Sequence, residues 1–156
     1  MADVDRFILR FYTQHERRSS PRSVSIGAET GATREQVRAG EEWFAAAVVV
    51  MGRAERVSGP AVAPWPSDMA VLGRGVLGLS NAHRAVFMTR SRDGGLDALQ
   101  SVSCDGIAPP SDADAVVSYI DWGRMCDDAG VANNGRNRAH LKASFRRARD
   151  TVAEVM

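Results

Sequence analysis

Residues 136–149 read RNRAHLKASFRRAR, with six Arg and Lys side chains and no Asp or Glu. On a helical wheel, where successive residues are about 100° apart, Leu141 and Phe145 lie in one narrow sector with Ala148 and Val152. An apolar stripe of this kind is typical of an amphipathic helix that packs one face against a core. The pattern therefore predicts a final helix over residues 137–155.

A basic stripe lies beside the apolar stripe on the same predicted helix. Arg138, Lys142, Arg146 and Arg149 fall in the neighbouring sector, and Arg136 precedes them. Guanidinium groups match the geometry of phosphate, and each phosphate contact releases counterions from DNA. We therefore expect the stripe to hold phosphates of double-stranded DNA.

Other roles for the basic stripe stay open. It could be a solvated face or bind an acidic partner protein. It could also pair with residues 112–128 of the same chain, which hold five Asp and one Arg. The net charge of +1 does not separate these alternatives.

Composition limits the class of protein. The chain has 156 residues, of which 44% are hydrophobic and 25% charged, as in a globular protein that buries a core. Its longest apolar run, residues 44–51, is too short to cross a membrane. No secretory signal is visible, so a cytoplasmic location without membrane contact is expected. Two cysteines and three scattered histidines match neither a disulfide framework nor a zinc site, so no metal or cofactor is expected.

Helices are predicted on both sides of the first proline. Apolar spacing predicts one helix over residues 5–18. Thr33 and Gln36 form a capping-box pattern that starts another. That helix continues through Trp43 and Phe44, and the valines at 48–50 then favour either more helix or a strand.

The middle of the chain is rich in turn signals. Glycines and prolines over residues 58–80 predict a loop or linker with at most a short helix. Two strands, 85–90 and 96–104, are predicted to form a β-hairpin around the turn at 93–95. A helix is predicted over residues 112–128. The fold class is thus mainly α, or α+β with one small hairpin.

These elements suggest three parts. Residues 1–58 would form a helical domain, 59–111 a linker with the hairpin, and 112–156 a C-terminal helical pair. The alternative is a single compact domain.

Residues 23–44 carry a spacing of small and apolar side chains. Gly27, Gly31 and Val37 stand where a helix-turn-helix has a small residue, a turn glycine and an apolar residue. The segment resembles the helix-turn-helix and winged-helix DNA-binding superfamily. Gly40 departs from the pattern, since an apolar residue is usual there, and Gly27 is a poorer helix former than alanine.

The resemblance implies roles for specific residues. The start of the recognition helix would read base edges; it holds Thr33, Arg34, Gln36 and Arg38. The hairpin could act as a wing, with Arg90 and Arg92 on phosphates, or simply cover the core. Proteins of this superfamily commonly dimerise on two-fold sites, so a homodimer is expected.

Enzyme chemistry has little support in the sequence. It lacks a phosphate-binding P-loop and a G-x-S-x-G nucleophile motif. Residues 73–78 spell G-x-G-x-x-G, but no clear strand precedes them, as nucleotide binding would require. A DNA-binding transcriptional regulator is therefore predicted, and not an enzyme. The alternatives are a protein-binding inhibitor of the phage or anti-activator type, and a ring-forming accessory protein of DNA packaging or replication.

Overall fold

The computed structural model describes residues 2–18, 33–80, 83–84 and 115–156. Six helices are found there: α1 (Ala2–Arg18), α2 (Arg34–Ser58), α3 (Asp68–Leu77), α4 (Ala115–Ser118), α5 (Trp122–Asp128) and α6 (Gly135–Val155). These residues form no strand beyond an isolated bridge between Val62 and Trp65. The prediction of a mainly α protein is confirmed. The predicted hairpin, and the helix-turn-helix residues before Thr33, lie outside the described residues.

The first predicted helix is confirmed as α1, which starts three residues earlier than expected. Phe7 of α1 meets the ring of Trp43 edge-on, with ring centroids 5.4 Å apart. One turn later Phe11 stacks on Phe44 at 5.5 Å. These aromatic contacts join α1 to α2.

The predicted capping box is present at the start of α2. The Thr33 hydroxyl accepts a hydrogen bond from the Gln36 amide at 3.2 Å, and the Gln36 side chain accepts one from the Thr33 amide at 3.0 Å. Two amides that the helix itself cannot satisfy are thereby paired.

The three valines at 48–50 continue α2 rather than starting a strand. The buried side of the helix recurs at three- and four-residue intervals through Phe44, Ala47, Met51 and Ala54. Gly59 then adopts a φ of 80°, and Pro60 follows it. The helix ends there because this backbone conformation and the missing proline amide both oppose another turn.

The short helix that the prediction allowed within the loop or linker over residues 58–80 is α3, and it lies in the core. Ser67 caps the helix by accepting from the Ala70 amide at 3.2 Å. A Cβ added at Gly73 would lie 3.0 Å from the Tyr12 ring, and one at Gly75 would lie 3.2 Å from the Phe145 ring. These glycines let α1 and α6 approach α3 closely; they do not break the helix.

The single helix predicted over residues 112–128 is wrong, because two short helices, α4 and α5, occupy residues 115–118 and 122–128. Asp121 caps α5 by accepting from the Arg124 amide at 3.0 Å. This local hydrogen bond competes with continuation of the preceding helix. The Trp122 indole donates a hydrogen bond to the Val117 carbonyl at 2.9 Å and so links the start of α5 to α4.

Helix α6 is confirmed and begins two residues before its predicted start. Asn134 caps it by accepting from the Asn137 amide at 2.8 Å. The helix packs against α1, α2, α3 and α5. All six helices contribute to a single core that includes Leu9, Leu72 and Phe145. This core joins residues from all three predicted parts.

Candidate nucleic-acid interface

Four cations that remain accessible to solvent lie in the N-terminal half and middle of α6. Arg136 and Arg146 are exposed, while Arg138 and Lys142 are half-buried. The Arg138 guanidinium donates to the Asn133 side chain at 2.6 Å, which holds it beside the start of the helix. We call these four residues the basic surface.

Arg149, predicted to contact phosphates, is not part of this surface. Its side chain is only 5% exposed, and its Nη1 lies 3.8 Å from Oδ1 of Asp5, which is also largely buried. The prediction went wrong because four helices pack around α6 and cover more of its circumference than its apolar residues alone indicated. Arg149 therefore belongs to the interior.

Arg147 is committed to a carboxylate on α3. Its Nε and Nη2 donate to the two carboxylate oxygens of Asp68 at 3.1 and 3.2 Å. The Ser144 hydroxyl donates to the same carboxylate at 2.6 Å. Some arginines of α6 thus pair within the chain, but not with the segment that the sequence suggested. The carboxylates in these pairs belong to α1 and α3, and not to residues 112–128.

The electrostatics of this cluster follow from its contacts. Partial burial raises the pKa of Asp68, but hydrogen bonds from Arg147 and Ser144, together with the charges of Arg147 and His140, outweigh it and leave that pKa lowered. The hydrogen bond to Asp68 raises the pKa of Arg147. Both groups are therefore held in their charged forms at neutral pH.

The predicted base-reading residues all lie at the exposed start of α2. Thr33 and Gln36 hold each other in the capping box. Arg34 is exposed, and Arg38 forms an exposed ion pair with Glu42 at 3.2 Å. Because exposed pairs of this type contribute little to stability, the Arg38 guanidinium can exchange Glu42 for another acceptor.

All three histidines lie among the described residues and are engaged in ring contacts. His140 stacks on Trp65, with ring centroids 3.9 Å apart. His83 lies against Tyr119 at 4.7 Å and shares a 2.6 Å hydrogen bond with the Ser80 hydroxyl. Among the described residues, no group of three or more His, Cys, Asp or Glu side chains is placed to hold a metal ion. No helix in those ranges is long and apolar enough to cross a membrane.

A second exposed surface, on α2, was missed by the sequence reasoning. It runs along the side of the helix that points away from the core, and we call it the outer face of α2. The alternation of three- and four-residue steps along residues 38, 42, 45, 49, 52 and 56 is the signal that could have found it. The outer face comprises Arg38, Glu41, Glu42, Ala45, Val48, Val49, Gly52, Arg53 and Arg56.

No protein-family model, curated protein or solved structure matches this chain. Function is therefore inferred from the chain's own surfaces.

Proposed function

We propose that this chain is a DNA-binding regulatory protein whose basic surface contacts the phosphates of double-stranded DNA. The observation that carries the proposal is the placement of four cations along about three turns of α6, with no acidic residue between them. Arg136 and Arg146 are exposed, and Arg138 and Lys142 remain partly accessible. A row of cations on a rigid helix gives the strong, salt-dependent attraction to DNA that phosphate contacts produce.

The start of α6 adds to this attraction. The helix is 21 residues long, and its first amides point away from the helix at the end that carries Arg136 and Arg138. The N-terminus of a helix bears partial positive charge and favours phosphate groups. The partial charge at this end of the helix would add to the attraction that the nearby guanidinium groups exert on phosphates.

The first turn of α2 would supply sequence reading. Arg34 and Arg38 are exposed there, and arginine binds the major-groove edge of guanine through two hydrogen bonds. Thr33 and Gln36 would fix the start of the helix and so position both arginines. In this division of roles, α6 supplies affinity and α2 supplies discrimination between sequences.

The test is a titration of fluorescent duplex DNA with purified protein at several salt concentrations. Four phosphate contacts give a slope of about −3 to −4 in a plot of log affinity against log salt concentration. Arg146→Ala should make the slope less negative by about one unit, because one contact is lost. Arg74→Ala is the matched control: it removes an exposed arginine from α3 and should leave the slope unchanged.

Absence of binding at low salt, or equal slopes for Arg146→Ala and the wild type, would contradict the proposal. Base reading is tested separately with a duplex selected from random sequences. Arg34→Ala/Arg38→Ala should reduce the ratio of the affinities for the selected and an unselected duplex. The slope of log affinity against log salt concentration should stay close to that of wild type, because the cations of α6 are unchanged. If selection enriches no sequence, α2 does not recognise bases, and binding depends on the phosphate contacts of α6 alone.

A protein-binding role is the second candidate, because Val48 and Val49 are 46% and 52% exposed in the middle of α2. Exposed apolar side chains grouped on one helix face often mark a contact with another protein chain.

A further inference from the structure

The outer face of α2 is apolar at its centre. Ala45, Val48 and Val49 are exposed there, on a helix of 25 residues whose opposite side is buried in the core. Within the described part of the chain, these side chains remain accessible to water. Covering them with another apolar surface would be favourable.

The two ends of the outer face differ in net charge, which is −1 for Arg38, Glu41 and Glu42 together and +2 for Arg53 and Arg56. Glu41 and Glu42 precede the valines, and Arg53 and Arg56 follow them; all four side chains are exposed. The acidic pair and the basic pair stand at nearly equal distances from Val48 and Val49. At about 1.5 Å per residue, the span from Glu41 to Arg56 is about 22 Å.

We propose that the outer face of α2 binds the outer face of α2 from a second copy of this chain in an antiparallel pair. A two-fold axis near Val48 and Val49 would bring the acidic end of each helix against the basic end of the other. The same patch would serve on both subunits, as two-fold symmetric interfaces require. A parallel pair would instead oppose Glu41 and Glu42 to their own copies.

The spacing and size of the side chains suit such a pair. Steps of four and three residues keep a seam of side chains facing a partner helix. Ala45 and Gly52 on that seam are small enough for the two backbones to come close together. A Cβ placed at Gly52 would lie 3.7 Å from the guanidinium of Arg56, the flexible side chain that lies nearest to this glycine.

A single helix pair buries an area at the low end of stable interfaces, so the dimer should form and dissociate with concentration. This proposal does not depend on DNA binding.

The test is sedimentation velocity on the full chain over a wide concentration range, with charge-reversed variants. Wild type should shift reversibly from monomer to dimer as its concentration rises. Glu41→Arg/Glu42→Arg and Arg53→Glu/Arg56→Glu should each weaken the dimer at least tenfold, because like charges then face each other at both ends. The chain carrying all four substitutions should regain the dimer, since its charges are merely exchanged.

The matched control is Asp127→Arg/Asp128→Arg, which reverses two adjacent exposed carboxylates on α5 and should dimerise like wild type. Thermal melting verifies that every variant is folded. A wild type that stays monomeric at all concentrations overturns the proposal and assigns the outer face to a different partner. Dimers that survive both charge reversals overturn it as well, because a different surface must then hold them. Failure of the four-fold variant to dimerise rejects the antiparallel arrangement.

Discussion

The two halves of α6 carry the same kind of side chain in different roles. In the N-terminal half Arg136 is exposed, and Arg138 donates a hydrogen bond to the nearby Asn133 side chain. In the C-terminal half Arg147 and Arg149 pair with carboxylates of α3 and α1. A continuous run of basic residues in a sequence therefore does not define one surface, because packing divides it into structural and accessible cations.

The difference follows from what surrounds each half. The C-terminal half lies against α1 and α3, where Asp5 pairs with the buried Arg149 and Asp68 pairs with Arg147, which stays 56% exposed. A buried charge without a partner is strongly unfavourable, so Arg149 needs its carboxylate. The N-terminal half has no such need, because its arginines remain in contact with solvent.

The largest expected effect is on Arg149. Arg149→Met should lower the free energy of unfolding by about 3 kcal/mol, because it removes the cation beside the largely buried Asp5 carboxylate. Urea denaturation followed by circular dichroism measures this change. Where the variant is folded, its slope of log DNA affinity against log salt concentration should equal that of wild type.

The double variant Asp5→Asn/Arg149→Met is the control, since it removes both charges. It should recover much of the lost stability, as replacement of a buried pair by neutral groups often does. If Arg149→Met is as stable as wild type and its DNA affinity depends less on salt, Arg149 contacts DNA. The contrast between the two halves of α6 is then wrong.

A smaller effect is expected at Asp68. Asp68→Asn should lower the free energy of unfolding by about 1 kcal/mol at neutral pH, because the ionic hydrogen bonds to Arg147 are lost. The pKa of Asp68 is lower in the folded protein than its ordinary value of 3.8. The stability that the Asp68 carboxylate contributes is therefore fully present above its ordinary pKa. The contribution is lost as the pH falls through the lowered pKa of the folded state.

The measurement is urea denaturation of wild type and of Asp68→Asn, followed by circular dichroism, from neutral pH down to about pH 2. The two curves of stability against pH should run parallel above about pH 5 and converge as the pH falls below 4. A constant gap down to the lowest pH would show that the Asp68 carboxylate does not stabilise the fold through its charge.

The smallest effect on stability is expected at Arg136. Arg136→Ala should change the free energy of unfolding by less than about 0.5 kcal/mol, as is usual for an exposed position. It should even favour the fold slightly, because a cation near a helix N-terminus opposes the dipole. The DNA salt slope should become less negative, by about one contact. Loss of stability without a change in slope would mean that Arg136 is structural, like Arg149.

Local signals in the sequence predicted much of the helical fold. The Thr33 capping box predicted the start of α2, and the apolar spacing of α1 and α6 predicted both helices to within a few residues. Such signals act within one turn of helix, so they can be read without knowing the rest of the chain.

The sequence misled where a residue's role depends on a distant neighbour. Gly73 and Gly75 resemble loop residues, yet they lie in a core helix because Tyr12 and Phe145 need the space that a side chain would take. Asp121 ended a helix that apolar spacing had predicted to continue, since its cap starts a new helix there.

The sequence by itself determined that this chain is mainly helical, where three of its helices lie and that one of them is rich in arginine. Only the tertiary structure decided which arginines are accessible. Asp68 and Arg147 are 79 residues apart, and Asp5 and Arg149 lie near opposite ends of the sequence. Helix periodicity records the direction of each side chain from its own axis, whereas burial and ion pairing depend on which helices pack around that axis.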